Sequence, residues 1–308
     1  MRGICVVALN WNGREVLPGM LRSLSTEAPA AGARVLLFDN GSTDGSDREA
    51  EEAFGGCPWF SIERSAVNLG FAGGANAAIA GISEDITVLA NTDTVFLPGS
   101  LKALCEGLER HPGAAAAGPR LLWPDGSLQR SLRDFPFPGR LVREHLPLLR
   151  RSSSRWDDHE TERRAEWLVG AVLALRTGVF RQAGGFDEDY FFYHEETDLQ
   201  YRFHRMGWEV WLVPSSRVVH FEGAAAAKLY GRDTRLRYIP AKLRFLEKHG
   251  SRGSRTAFRV LMSALALGRL AVGLMSPARA ASDACFSRSY CRRVLSTLWL
   301  NRDSRKGR

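Results

Sequence analysis

Three short runs dictate most of what this chain can become. Residues 4–9, 34–38 and 86–90 are dominated by apolar and β-branched side chains, and each stops on Asn10, Asp39 or Asn91. Runs this short and this apolar predict strands covered on both faces. Between and after them lie helical stretches at residues 14–24, 72–82 and 98–110, the last with Pro98 at its start. A further strand is expected at 60–63 and another at 114–118. Strand and helix alternating at this spacing predict βαβ units and a mostly parallel sheet flanked by helices. Ligands of such sheets sit beyond the carboxyl ends of the strands, where this sequence puts Asn10, Asp39-Asn40 and Asn91-Thr92-Asp93.

Residues 123–165 break the pattern. Four prolines (124, 136, 138 and 147) and the run 150–155 read as an inserted loop. Strand character returns at 167–175, and a short helix at 177–183 is closed by Gly184-Gly185. A helix at 195–206, a strand at 208–213 and then His220 follow. From Lys242 the pattern becomes basic and helical. The expected organisation is an α/β domain over 1–240, with one half near 1–122 and another near 166–240, followed by a basic helical segment, 241–308.

Charge sharpens that division. Residues 241–308 hold 15 Lys and Arg against three acids, a net of +12, while the other 240 residues net −4. The basicity belongs to the tail, which implies an anionic partner. At helical spacing Arg252, Arg255, Arg259 and Arg269 fall within an arc of about 100°. A basic amphipathic helix on an anionic membrane is the expectation, with Arg269 opposing a spanning helix. Nucleic acid is not expected, because no recognised module is present and aromatics are few in the basic stretch. The five cysteines are odd in number and form no C-x-x-C pair, so a disulfide framework is not expected and a reducing cytosol is. The run 4–9 is too short for a signal peptide.

Several clusters carry possible chemistry. The turn 39–45 is a carboxylate at a strand end, able to accept the imide N–H of a uracil or thymine ring, or equally a helix cap. Residues 68–76 bring glycines to a helix start, for close approach of a ligand or of another backbone. Asp93 after a buried strand can hold a divalent ion, and also fits an ordinary turn. Glu195, Glu196 and Asp198 follow the aromatic run 190–193, where an acid can be held as a general base or simply favour the helix start. His220 gains interest because Asp93 needs partners.

Their order resembles the inverting glycosyltransferases of family two, over roughly residues 1–250, and most of all the bacterial rhamnosyltransferases of polysaccharide assembly. That resemblance implies the GT-A fold, with a catalytic domain over 1–240 whose nucleotide-sugar half lies near 1–122 and whose acceptor half lies near 166–240. It implies that Asn10 and Asp39, with Asn40 beside them, contact the nucleoside, and that Asn68, Gly70 and Asn76 shape the ribose and diphosphate region. Asn91 and Thr92 would border the donor, Asp93 would match the last acid of a D-x-D metal motif, and His220 would complete a Mg or Mn site. Glu195 and Glu196 would supply the base, with Asp198 the acid after them. Gly170 would line the donor sugar and the acceptor, and residues 184–188 would lie on the acceptor side. Three positions depart from the family pattern: Asn91 replaces an acid, Glu196 stands where Asp is commoner, and 221–224 is a variant glycine-containing loop.

The implied reaction moves a sugar, favoured as rhamnose from dTDP-rhamnose, onto a lipid-linked or polysaccharide acceptor, on the inner face of the cell membrane. Galactosyl or mannosyl transfer, or a non-catalytic sugar-nucleotide scaffold, are the alternatives.

Overall fold

A computed structural model describes residues 3–140, 158–190, 193–221, 236, 238–276 and 284–300. Phe191 and Phe192 of the aromatic run, the loop 222–224 and the basic run 150–155 lie outside the described residues. Contacts divide the chain into one unit of Met1–Asp134 with Ser153–Leu229 and another of Phe135–Ser152 with Tyr230–Arg308.

The first unit is an α/β sandwich around a sheet. Strands β1 (Ile4–Asn10), β2 (Ala33–Asp39), β3 (Phe60–Arg64) and β4 (Ile86–Asn91) are parallel and lie in the order β3-β2-β1-β4. The expected βαβ half is therefore present. Beyond β4 the sheet becomes mixed. Strand β11 (Val172–Arg176) runs antiparallel to β4 and to β6 (Ala114–Leu122), and β12 (Glu209–His220) returns parallel to β6. The edge strand β5 (Thr94–Phe96) pairs antiparallel with the end of β12, putting His220 opposite Thr94.

Alternation along β1 explains why the run is continuously apolar. Val6 and Ala8 face helices α1 (Leu17–Ala31) and α4 (Ser100–Arg110), through Leu17, Met20, Leu21, Leu101 and Leu104. Cys5, Val7 and Leu9 face α3 (Gly70–Ala80) through Ala72, Ala75 and Ile79 on the other side. Both faces are covered, so neither tolerates a polar residue until the strand ends. Helix α3 is built of small residues because it lies close to the sheet. A Cβ on Gly74 would stand 2.9 Å from Leu9 Cδ1 and 3.0 Å from Asn40 Nδ2.

Three expectations are corrected. The segment 123–165 is not wholly loop: β7 (Leu128–Gln129) folds back on β6, and β9 (Arg163–Ala165) pairs with β12. The strand expected over 167–175 breaks at Val169-Gly170. Its first part, β10 (Trp167–Leu168), pairs with β8 (Leu132–Arg133), and only its second part joins the main sheet. The strand expected over 208–213 continues to His220 through register shifts between Val213 and Arg217, where Pro214 breaks the ladder.

Among the described residues three further helices complete this unit, α2 (Ser46–Phe54), α5 (Thr177–Gln182) and α6 (Glu195–Arg205). The second unit holds α7 (Tyr238–His249), α8 (Arg252–Met275), a short turn at Ala284–Phe286 and α9 (Arg288–Trp299). Ser251 and Ser287 cap α8 and α9 by accepting the N–H of Ser254 and of Tyr290. Phe245 of α7 is fully buried, stacked on Phe135 and edge-on to Phe137. Helices α8 and α9 are antiparallel. Trp299 donates its Nε1–H to Ser263 Oγ at 3.0 Å, while at the other end Gly273 packs on the Phe286 carbonyl with no room for a Cβ.

Candidate active site

The nucleotide-side residues first satisfy one another. Asn10 is fully buried, and its Nδ2 donates to Asp39 Oδ1 at 2.8 Å and to Ser46 Oγ at 2.9 Å. The other Asp39 oxygen accepts the Ser42 N–H at 2.9 Å. Asn40 is spent on the next loop: its Nδ2 donates to Asn68 Oδ1 and to the Gly70 carbonyl, and its Oδ1 accepts the Leu69 N–H. Asn68 Oδ1 also takes the Gly70 N–H, which fixes Gly70 at φ 74°. Asn76 clamps a distant turn, donating to the Phe186 carbonyl and to Glu188 Oε1 while accepting the Phe186 N–H. The side-chain amide of Asn40, expected beside the nucleoside, and those of Asn68 and Asn76, expected to shape the ribose and diphosphate region, hold the loops of this edge in place. Asn10 Oδ1 is the exception, buried without a hydrogen-bond partner and facing Gly13.

Gly13 joins this edge to the next. A Cβ there would stand 2.3 Å from Asn10 Oδ1 and 3.3 Å from Thr92 Oγ1. Asp93, after the turn from β4, is buried, and its carbonyl accepts the Phe221 N–H. Its Oδ1 stands 3.4 Å from His220 Nε2. The other ring nitrogen of His220 is 2.9 Å from Gln129 Oε1, an acceptor, so Nδ1 carries the proton donated there. Nε2 is thus turned on the carboxylate at a separation long for a hydrogen bond and suited to two neighbouring ligands of one cation. Carboxylate and imidazole held by a second shell are a donor set that fits a divalent ion. Among the described residues no group of three or more His, Cys, Asp or Glu side chains converges for metal binding. The Asn91 backbone N–H donates to the Ala171 carbonyl at 2.9 Å.

That bond leads to the acids. Gly170 precedes Ala171, and a Cβ on it would meet Glu196 Cβ and Cγ at 3.1 Å. Helix α6 is entered through two left-handed residues, Tyr193 (φ 74°) and His194 (φ 67°), a strained approach that delivers Glu195 and Glu196 to the first turn. One oxygen of each, Oε2, is buried without a hydrogen-bond partner. Burial holds the Glu195 carboxyl well above the usual range, and the adjacent Glu196 charge raises it further. Burial also pushes Glu196 up, to about 7, against the pull of the backbone N–H groups of Glu196, Thr197, His194 and Gly170.

Asp198 differs. It is fully buried, and its Oδ2 accepts from Arg202 Nε at 2.7 Å, while Arg202 also donates to the Ala183 and Gly185 carbonyls. Through Arg202 it braces α6 to the turn 184–188. Gln129 and Gln200 had no signal in the sequence. Gln200 bonds both the N–H and the carbonyl of Leu168 and ties β10 to the helix carrying the acids. A buried amide partner is visible only once distant segments meet.

The family model described as glycosyl transferase family 2 matches residues 4–164, just over half of the chain. The chain belongs to glycosyl transferase family 2. This glycosyltransferase is 35% identical, over 246 residues, to the N-acetylglucosaminyl-diphospho-decaprenol L-rhamnosyltransferase of Mycobacterium tuberculosis (strain CDC 1551 / Oshkosh), covering 72% of this chain and 77% of that one. The protein of strain ATCC 25618 / H37Rv matches equally. Among solved structures it resembles the mannosyltransferase PcManGT of Pyrobaculum calidifontis in complex with GDP-Man and Mn²⁺, with a TM-score of 0.59 and 14% identity over 97% of this chain and 87% of that one. GalNAc-T7 with UDP, GalNAc and Mn²⁺ gives 0.59 at 15% identity over 80% of this chain, which spans 47% of that one. These likenesses show the GT-A fold.

Proposed function

We propose that this glycosyltransferase moves rhamnose from dTDP-rhamnose to a lipid-linked N-acetylglucosaminyl acceptor, with inversion at the anomeric carbon. The observation that carries the chemistry is the pair of buried, under-bonded carboxylates at the start of α6, tied through Gly170 and Ala171 to the Asn91–Asp93 turn. The choice of sugar and acceptor is supported by the 35% identical mycobacterial rhamnosyltransferase.

Glu196 is the general base. With its carboxyl raised to about 7, a neutral solution leaves it able to take a proton and basic enough to want one. Burial and the neighbouring Glu196 charge both disfavour ionisation of Glu195, so the pair favours a single negative charge. As Glu196 removes the acceptor hydroxyl proton, that oxygen forms its bond to the anomeric carbon. The bond to the nucleoside diphosphate breaks on the opposite face, and the diphosphate leaves with the electron pair. Asp93 and His220 are the residues that would hold a Mg or Mn ion, and the ion when bound neutralises charge on the leaving diphosphate. Gln129 keeps the His220 ring in the orientation that presents Nε2. Asp39 and Asn10 border the base-binding end, and Gly170 leaves room for the Glu196 side chain packed against it. A nucleotide-sugar donor and a lipid-linked acceptor meet at the cytoplasmic face of a membrane, so the enzyme is peripheral on that face and reaches an anionic surface through residues 241–308.

The test is transfer from a panel of nucleotide sugars to a short-chain lipid-diphosphate-GlcNAc acceptor, with product configuration read by NMR. Transfer from dTDP-rhamnose, with the product anomer opposite to the donor's, is the expected result. Preference for another sugar overturns the donor assignment, retention overturns the role of Glu196, and full activity in EDTA removes the metal.

A further inference from the structure

The outward face of α8 has a composition unlike the rest of the surface. The exposed positions of Arg252–Met275, apart from Arg252 at the start, are Gly253, Thr256, Ala257, Val260, Ala264, Leu267, Gly268, Ala271, Leu274 and Met275. At about 100° per residue they span an arc of about 120°, and no charged side chain falls within it. Val260, Leu267 and Leu274 form its ridge, each more than half exposed, and Met275 is 78% exposed. Monomeric soluble proteins rarely leave so continuous an apolar strip to water.

The charges lie around it. Arg252 and Arg259 border one side, and the Arg259 guanidinium lies over the Trp299 ring, 5.6 Å from its centroid. Arg269 is on the far side of the helix. On α9, Arg288, Arg292 and Arg293 are exposed. Trp299 and Leu300, at the end of α9, are exposed beside the strip at Ser263. An uncharged ridge with a cationic rim and an aromatic at its edge matches an anionic lipid surface. A second copy docked on the same strip would bring two cationic rims together.

We propose that α8 lies in the plane of an anionic bilayer, with the face Val260–Leu267–Leu274–Met275 sunk among the acyl chains and the arginine rim among the headgroups. This deepens the membrane placement proposed above and rests on it. The helix is long and apolar enough by length and composition to cross a membrane. The structure opposes spanning: α9 covers the opposite side of α8 and would carry Arg288, Arg292 and Arg293 into hydrocarbon. Arg269, which argues against spanning, faces away from the lipid in the planar arrangement.

The experiment is flotation of the full chain, without donor or acceptor, on vesicles of phosphatidylethanolamine with phosphatidylglycerol and on vesicles of phosphatidylcholine alone. Wild type should float with the anionic vesicles and be released by alkaline carbonate. Leu267→Glu and Leu274→Glu, both at exposed positions, should partition roughly 10- to 100-fold more weakly with unchanged circular dichroism. Transfer to a water-soluble acceptor should be retained, so a failure here is distinguishable from failure of the proposed reaction. Three results overturn the proposal: no flotation of wild type, flotation undiminished in both variants, or resistance to carbonate, which means spanning. Sedimentation showing a dimer that Leu267→Glu dissociates would assign the strip to a second copy instead.

Discussion

The two edges of the candidate site treat their polar groups in opposite ways. On the nucleotide side, Asp39, Asn40, Asn68 and Asn76 are bonded to one another or to loop backbone, leaving Asn10 Oδ1 as the open acceptor. On the acid side, Glu195 and Glu196 each keep a buried oxygen without a partner, and Asp93 faces His220 at 3.4 Å. Buried polar groups are normally satisfied, and leaving one unsatisfied costs free energy. The first edge therefore gains shape from its amides. The second gives up stability, which a fold retains where the chemistry needs a poised group. If that contrast is right, substitutions on the two edges should fail differently.

The largest effect belongs to Glu196→Gln. It preserves volume and removes the base, so kcat should fall by roughly 10²–10⁴, while donor affinity by calorimetry stays near wild type. In wild type, kcat should rise with pH through about 7 and then level off as Glu196 loses its proton, and Gln should abolish that limb. Near-normal turnover in Glu196→Gln with a collapse in Glu195→Gln would exchange the two roles.

Next come the residues around the proposed cation. Asp93→Ala should abolish most Mn²⁺-dependent donor binding, and His220→Ala should weaken it less. Gln129→Leu keeps both ligands and loses only the acceptor for Nδ1–H, so Mn²⁺ affinity, read by electron paramagnetic resonance, should fall roughly 10- to 100-fold. An unchanged affinity in Gln129→Leu would mean that Gln129 only packs.

On the other edge the cost should appear as stability. Asn40→Ala removes three hydrogen bonds and takes the side-chain partner from the Leu69 N–H and from the Gly70 carbonyl, while Asn68 Oδ1 keeps the Gly70 N–H. The expected loss is about 1–3 kcal/mol in denaturant unfolding, with kcat of the folded fraction little changed. A collapse of kcat at full stability would show that Asn40 touches substrate and that the contrast between the edges is wrong.

The sequence makes some of this visible and hides the rest for physical reasons. The run 4–9 is legible as a strand because both faces of β1 are covered, and Asn10, Asp39 and Asn91 are legible because polarity returns where the covering ends. Glu195 and Glu196 stand out through local density of charge. The pairs β7–β6 and β9–β12 are two- and three-residue strands, too short for any periodicity to register. The roles of Asn40, Asn76, Asp198 and Gln200 depend on partners brought together by folding, up to 112 residues away for Asn76 and Glu188. A family motif marks such residues without distinguishing a ligand from a brace. The apolar face of α8 is legible in part: the arginine arc already implies an amphipathic helix, while which apolar residues stay exposed is known only once α9 occupies the other side.

The smallest effect is the most direct measure of what the acid edge gives up. Folding holds Glu195 protonated at pH values where the unfolded chain, with an ordinary carboxyl near 4.5, is ionised. Between that pH and the raised value in the folded state, the folded chain binds more protons, so stability falls as pH rises. Glutamine cannot ionise and keeps the shape of the protonated acid. Glu195→Gln should therefore be more stable than wild type at pH 8, by roughly 2–4 °C in Tm for each kcal/mol recovered. The advantage should shrink as pH falls and vanish below about 4.5, where both states of the wild type are protonated. Thermal melts of the two proteins from pH 4 to pH 8 make the measurement. Parallel curves across that range would mean that Glu195 is as well solvated in the fold as in the unfolded chain. The acid edge would then hold no unsatisfied carboxyl at this position, and the single negative charge assigned to the pair would have to become two.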